Sequence, residues 1–279
     1  LQDTATNVSG LTFTNTASYT YNAFDNAPAS AGSGAGATTP PMTIVGPDTV
    51  TLEKGGPAVL SAGVAGTFTL NVHNTGTGRA WDLTITDLLP NPAPGGMCDV
   101  APTNVTAQIF QADGVTAVSA ALAAGVDFST AFTADTTTPV GDPACTFTIT
   151  MLSPAAAIGP TERLIVTYEA SLDEDNVGGS ISLTNLAGAT GWFSGDTAGA
   201  GATGAIRAYT GTLSDGTVGT LDEQDAHTLT TETSVLLFQK SVVNVATGQN
   251  PATDARPGDT LRYTLRLSLI HISEPTRPY

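Results

Sequence analysis

Three polar side chains occupy strand positions that the surrounding pattern reserves for apolar ones, and together they hold the parts of an acyl transfer. Lys54 shares the inward parity of Val50 and Leu52, Asp87 that of Leu83 and Ile85, and Asn185 that of Ile181 and Leu183. The chain has only two lysines, and the second, Lys240, stands at the matching position behind Leu236 and Phe238. Asn15, behind Leu11 and Phe13, likewise matches Asn185. A buried ammonium or carboxylate is costly unless it is paired. Chemistry offers one way out: the lysine amine, neutral in apolar surroundings, attacks the asparagine carboxamide while the protonated Asp87 carboxyl shuttles protons. The product is an intramolecular isopeptide bond joining the first and last strands of a module. A competing reading keeps all three non-covalent, with Lys54 snorkelling at a strand end, Asp87 closing its strand ahead of Pro90, and Asn185 bonding backbone across a sheet edge.

Inward parity of this kind requires strands, since only a period of two puts alternate residues on one face. Stretches rich in Thr, Val and Ile, separated by Gly, Pro and Asn, run through residues 11–21, 67–72, 81–87, 103–110, 145–152, 163–172, 180–187 and 234–243. No segment sustains a helical period; the Ala-rich stretch from Ser119 to Ala124 has room for one turn at most. Many strands with turn signals between them imply an all-β chain built as an antiparallel sandwich of two sheets. Phe68, Leu70 and Val72 are expected to face Leu83, Ile85, Phe147, Ile149, Leu164, Val166 and Tyr168 across one core.

The matching positions extend into an internal repeat. Leu11 to Ala17 returns as Ile181 to Ala187, Val50 to Lys54 as Leu236 to Lys240, and Gly66-Thr67-Phe68 as Gly258-Asp259-Thr260-Leu261. A chain that repeats itself in order is an array of similar modules. Residues 1–26 then end one repeat, the Gly/Ala/Ser/Pro stretch 27–41 is a linker, 42–232 form a complete sandwich, and 233–266 begin a third. Lys240 and Asn15 would lack partners because their repeats are cut short. The complete module is long for such a sandwich, and the surplus is assigned to loop insertions at 91–102 and 188–219. Residues 267–279 stand apart: the run from Leu267 to Arg277 resembles a translated sequencing adapter and is expected to have no settled packing, which would leave His271 and Arg277 without biological meaning.

Three motifs resemble those of a bacterial surface-repeat family known only as a domain of unknown function, number eleven in its series. They are a strand from Gly66 ending in Asn74-Thr75-Gly76, a strand from Leu83 ending in Asp87-Leu88-Leu89-Pro90, and the Thr184-Asn185-Leu186 strand with Asn15 as its counterpart. The resemblance implies tandem immunoglobulin-like sandwiches in large secreted or surface-anchored bacterial proteins, an adhesin stalk among them, with no catalytic activity on an external substrate. Related Gram-positive surface sandwiches carry the same Lys–Asn isopeptide bond.

Composition narrows the partners. A net charge of −16, with 25 acidic residues against 9 basic, disfavours nucleic acid and anionic membrane surfaces. Acidity keeps an extracellular polymer soluble and supplies oxygen ligands. Neighbouring repeats of the same chain are the expected partners, and no organic cofactor is implied. Cys145 shares the inward parity of Phe147 and Ile149, and Cys98 lies in a Pro/Gly loop; a disulfide is expected, against two buried thiols. Calcium is possible at Asp173 and Asp175 or at Asp222 and Asp225, set against plain solvated turns. Trp81, Trp192, Phe193 and Tyr209 offer rings for a sugar-stacking surface, with Trp81 read as core; a glycan- or protein-binding module using 188–219 is therefore the rival function. Spacer domains beside a catalytic domain elsewhere in the protein are a third option. Gly199, Gly201 and Gly204 spell a dinucleotide fingerprint, yet no helix follows, so a flexible loop is the reading. His73 and His227 stand alone, and Asn7 and Asn104 match the glycosylation acceptor pattern by chance.

Overall fold

Thr-rich alternation produces strands almost throughout, because β-branched residues suit a half-buried pleated surface and pack poorly in helices. The computed structural model describes residues 7–21, 32–92, 95–137, 143–173, 180–199, 206–213, 222–232 and 234–271. In chain order the strands are β1 (Thr12–Phe13), β2 (Thr16–Tyr21), β3 (Gly32–Thr38), β4 (Met42–Thr43), β5 (Val50–Gly55), β6 (Val59–Ser61), β7 (Gly66–Asn74), β8 (Trp81–Pro90) and β9 (Thr103–Phe110). There follow β10 (Phe128–Thr137), β11 (Pro143–Met151), β12 (Arg163–Ala170), β13 (Ser182–Phe193), β14 (Ala208–Tyr209), β15 (Gln224–Glu232), β16 (Ser234–Asn244) and β17 (Leu261–His271).

Two of the sheets make an immunoglobulin-like sandwich. One has the order β5-β7-β12-β9; the other runs β10-β11-β8-β13-β15-β6, with β14 added to the end of β13. Each inner face is mainly apolar at alternate positions: Phe68, Leu70 and Val72 on β7 and Leu164, Val166 and Tyr168 on β12 meet Leu83, Ile85, Phe147 and Ile149 from the opposite sheet in one buried cluster. Cys98 and Cys145 form a disulfide that ties the loop after β8 to β11, with Cα atoms 5.6 Å apart. Asn74, fully buried, closes the corner after β7: its amide donates to the carbonyls of Gly78 and Ile158, and its carbonyl accepts from Gly76 N. A Cβ on Gly76 would lie 2.7 Å from the Pro47 Cα, so the Asn-x-Gly motif is a packing requirement at this corner.

Several expectations are corrected. The sandwich is not purely antiparallel, since β6 pairs in parallel with β15. The helical turn sits at Pro154–Ala156, where a proline can open it, and not at 119–124. Strand β10 was not legible, because its residues alternate weakly at a sheet edge. Within the supposed linker, β3 pairs with β2, for backbone pairing does not need bulky side chains. Residues 188–193 are no insertion: they prolong β13 alongside β8 and reach Trp192, which is buried. Trp81 is only half-buried, because the left-handed backbone at Asp82 and register shifts against β13 interrupt the alternation there. Finally, the backbone of residues 267–271 continues β17 and pairs with β16. Residues 272–279 lie outside the described residues.

Candidate functional site

Alternation along β5, with Val50 and Leu52 in the core, carries Lys54 inward at the edge of its sheet. The outer side of β5 is held by the segment leading into β15: Leu52 N donates to the Asp222 carbonyl at 2.7 Å, and Lys54 N donates to Asp225 Oδ2 at 2.9 Å. The lysine therefore enters the core from an anchored backbone. Across the sandwich, Asp87 on β8 and Asn185 on β13 point into the same space. Asp87 pairs directly with Ala187, which makes Asn185 its diagonal neighbour on the same face.

The side chains of Lys54 and Asp87 are fully buried, and Asn185 and Tyr168 are fully buried residues. Lys54 Nζ donates to Asp87 Oδ2 at 2.5 Å and lies 3.2 Å from the Tyr168 hydroxyl. That hydroxyl donates to Asp87 Oδ2 at 2.6 Å and accepts from Asn185 Nδ2 at 3.1 Å. Two oxygens stay without a hydrogen-bond partner, Asp87 Oδ1 and Asn185 Oδ1.

An aromatic wall keeps water away. Phe68 stacks on Tyr168 with centroids 5.3 Å apart, Phe147 meets the same ring edge-on at 5.3 Å, and Lys54 Nζ lies 5.8 Å from the Phe68 centroid. Burial lowers the Lys54 pKa from its ordinary 10.5, against the opposing charge and hydrogen bond of Asp87 and the charge of Asp225. Burial, reinforced by the Asp87 charge and hydrogen bond, raises Tyr168 well above its ordinary value, with the Asn185 hydrogen bond opposing. The arrangement contains an amine, a carboxyl group and a carboxamide in one buried pocket.

Lys54, Asp87 and Asn185 are thus brought together, but β13 is not the final strand of the module, since β15 follows it. Lys240 and Asn15 are exposed, on hairpins with no second sheet over them among the described residues; Lys240 Nζ instead lies 5.0 Å from the Tyr263 ring centroid. Alternation along β12 places Tyr168 in the core and assigns its hydroxyl no role. Its inward position on a strand offering Leu164, Val166 and Ala170 was the available signal, a polar tip on an otherwise apolar face.

The other candidates separate. Asp225 caps backbone amides at Lys54 and Ala226, and Asp222 accepts from Gln224 N. Asp173, far along the chain from both, accepts from Asp99 N. Asp175 lies outside the described residues, and among those described no three His, Cys, Asp or Glu side chains group as a metal site. The described carboxylates of Asp173, Asp222 and Asp225 each accept from a backbone amide. Trp192 is 4% exposed, stacks on Tyr209 with centroids 5.7 Å apart, and donates from Nε1 to the Pro47 carbonyl at 2.6 Å. Its ring is a core element, although it helps line a cleft of about 320 Å³ with Tyr209, Asp48, Asp222 and Glu223. Phe193 is half-buried beside Trp81. Gly199 is in a bend, while Gly201 and Gly204 lie outside the described residues. His227 bonds the Pro57 carbonyl, and Asn104 bonds Glu169.

Compared by sequence, the chain matches no family model and no curated protein. Among solved structures, it is similar to the major pilin SpaA of Corynebacterium diphtheriae, described as a modular pilus assembly with stabilising isopeptide bonds, at 13% identity and a TM-score of 0.34. That alignment covers 69% of this chain and 40% of the pilin. The Bacillus cereus major pilin BcpA aligns at 9% identity and a TM-score of 0.35, over 79% of this chain and 55% of that one. AvmM, which catalyses macrocyclization in alchivemycin A biosynthesis, aligns at 11% identity and a TM-score of 0.31, over 62% and 92% of the two chains.

Proposed function

We propose that this chain is a non-catalytic structural module of a secreted or surface-anchored bacterial protein, a stalk or spacer whose sandwich is locked by an isopeptide bond between Lys54 and Asn185. One observation carries the reading: Lys54, Asp87, Tyr168 and Asn185, drawn from both sheets, form one chain of contacts in the core at 2.5 to 3.2 Å, in which Asn185 joins Lys54 and Asp87 through the Tyr168 hydroxyl. Apolar residues in place of a buried ion pair are often neutral or stabilising. A purely structural role therefore gives little reason to keep four polar groups at the centre of a core.

In the reaction, the neutral Lys54 amine attacks the Asn185 side-chain carbonyl carbon. A carbon–nitrogen bond to Nζ forms, the bond to Nδ2 breaks, and ammonia leaves with one proton that began on Nζ. The new amide joins the edge strand β5 to β13 in the opposite sheet. Tension entering the module before β5 then passes through Lys54 to Asn185 and bypasses the strands between them. Acidity suits a soluble extracellular polymer, and the disulfide suits an oxidising compartment.

Intact mass of the expressed chain tests this directly. The expected result is a mass lower by one ammonia, with a cross-linked peptide containing Lys54 and Asn185 after digestion. A full mass overturns the bond and leaves only the sandwich.

A further inference from the structure

We propose that Tyr168 is a catalytic residue of bond formation, the acid that hands the departing Asn185 nitrogen its proton. The inference rests on the isopeptide reading and adds a step to it. Three of the four polar contacts at the site converge on the Tyr168 hydroxyl, which touches Lys54 Nζ, Asp87 Oδ2 and Asn185 Nδ2. Asp87 Oδ2 bonds the nucleophile and the phenol. The phenol is therefore the link between the carboxyl and the leaving group.

The direction of the contacts explains the step. In the resting amide, Nδ2 has no free lone pair and can only donate, which is how it meets the hydroxyl at 3.1 Å. Attack by Lys54 makes the carbon tetrahedral and Nδ2 an amine with a basic lone pair. The same contact then reverses, and the phenol becomes the donor. Tyr168 gives its proton to Nδ2 and takes one from Asp87, which takes one from Lys54 Nζ. Each relay member ends as it began, one proton has moved from Nζ to Nδ2, and ammonia departs as the carbonyl re-forms. The raised affinity of Tyr168 for its proton keeps the phenol protonated and ready throughout the neutral range.

Tyr168→Phe keeps the ring that stacks on Phe68 and abuts Phe147, and removes only the hydroxyl. Intact mass followed over time in the purified full chain reads the reaction. The wild type is expected to be fully converted and the variant to convert about 10²-fold more slowly or worse, as for loss of a general acid. Conversion of Tyr168→Phe as fast as the wild type overturns the role of Tyr168 and leaves the bond standing. A wild type that never loses ammonia overturns both. Should Tyr168→Phe fail to fold, the wild-type chain made with fluorotyrosine in oxidising, pulse-labelled cell-free synthesis keeps the hydroxyl and makes it more acidic. The alkaline limb of its ligation rate should move to lower pH, and an unmoved profile overturns the proposal.

Discussion

Losing the cross-link should cost more than losing any contact at this site, and a mutant cycle can isolate that cost. Lys54 and Asn185 enclose a loop of about 130 residues, for which the chain-entropy description gives about 5 kcal/mol at 25 °C. The disulfide between Cys98 and Cys145, 47 residues apart in sequence, is nested inside that loop and shortens the free path. The remaining contribution is about 4.5 kcal/mol. For a module of this size, that corresponds to a fall of roughly 10–20 °C in unfolding midpoint. Lys54→Met and Asn185→Leu each delete the bond while keeping side-chain volume. Each single variant should show the full fall, and the double variant should show hardly more, because the bond can be lost only once. The coupling should therefore approach 4.5 kcal/mol, above the roughly 0.5–3 kcal/mol usual for residues in simple contact. Thermal and urea unfolding of the four proteins, with intact masses alongside, supply the cycle. Additive single effects, or single variants within about 3 °C of a wild type that has lost its ammonia, would refute the reasoning.

Removing the disulfide with Cys98→Ala and Cys145→Ala should cost about 4 kcal/mol by the same chain-entropy argument, read as a lower urea midpoint; an unchanged midpoint counts against a loop constraint. In the unligated Asn185→Leu variant, Lys54 keeps a pKa below its ordinary 10.5 when folded. The unfolded chain then binds more protons in the window below 10.5, so stability should rise with pH towards that value. A urea midpoint that falls between pH 7 and 9.5 would contradict this. Trp192→Ala should lose about 3–5 kcal/mol as a core truncation, measured by denaturant unfolding, because its ring and Nε1 are both engaged inside. A variant of unaltered stability would instead favour a surface role for that ring.

The inward parity of Lys54, Asp87 and Asn185 was legible because alternation within a strand is a local property, set by the pleat alone. The same local rule made the sandwich and the core positions on β7, β8, β11 and β12 readable. Tyr168 was visible as an inward residue, but its role was not, since a phenol among apolar neighbours looks the same whether its hydroxyl meets water, backbone or a reactive pair. The edge strand β10, the parallel pairing of β6 with β15 and the long run of β13 through 188–193 were also out of reach. Pairing depends on which strand lies alongside, and that is fixed by packing between segments distant in sequence. The sequence by itself determined an all-β sandwich, an acidic surface and three misplaced polar side chains. The tertiary structure decided that those side chains meet, that Tyr168 stands among them and that Asp225 anchors the lysine, because only the closing of two sheets brings β5, β8, β12 and β13 to a common point in a space without water.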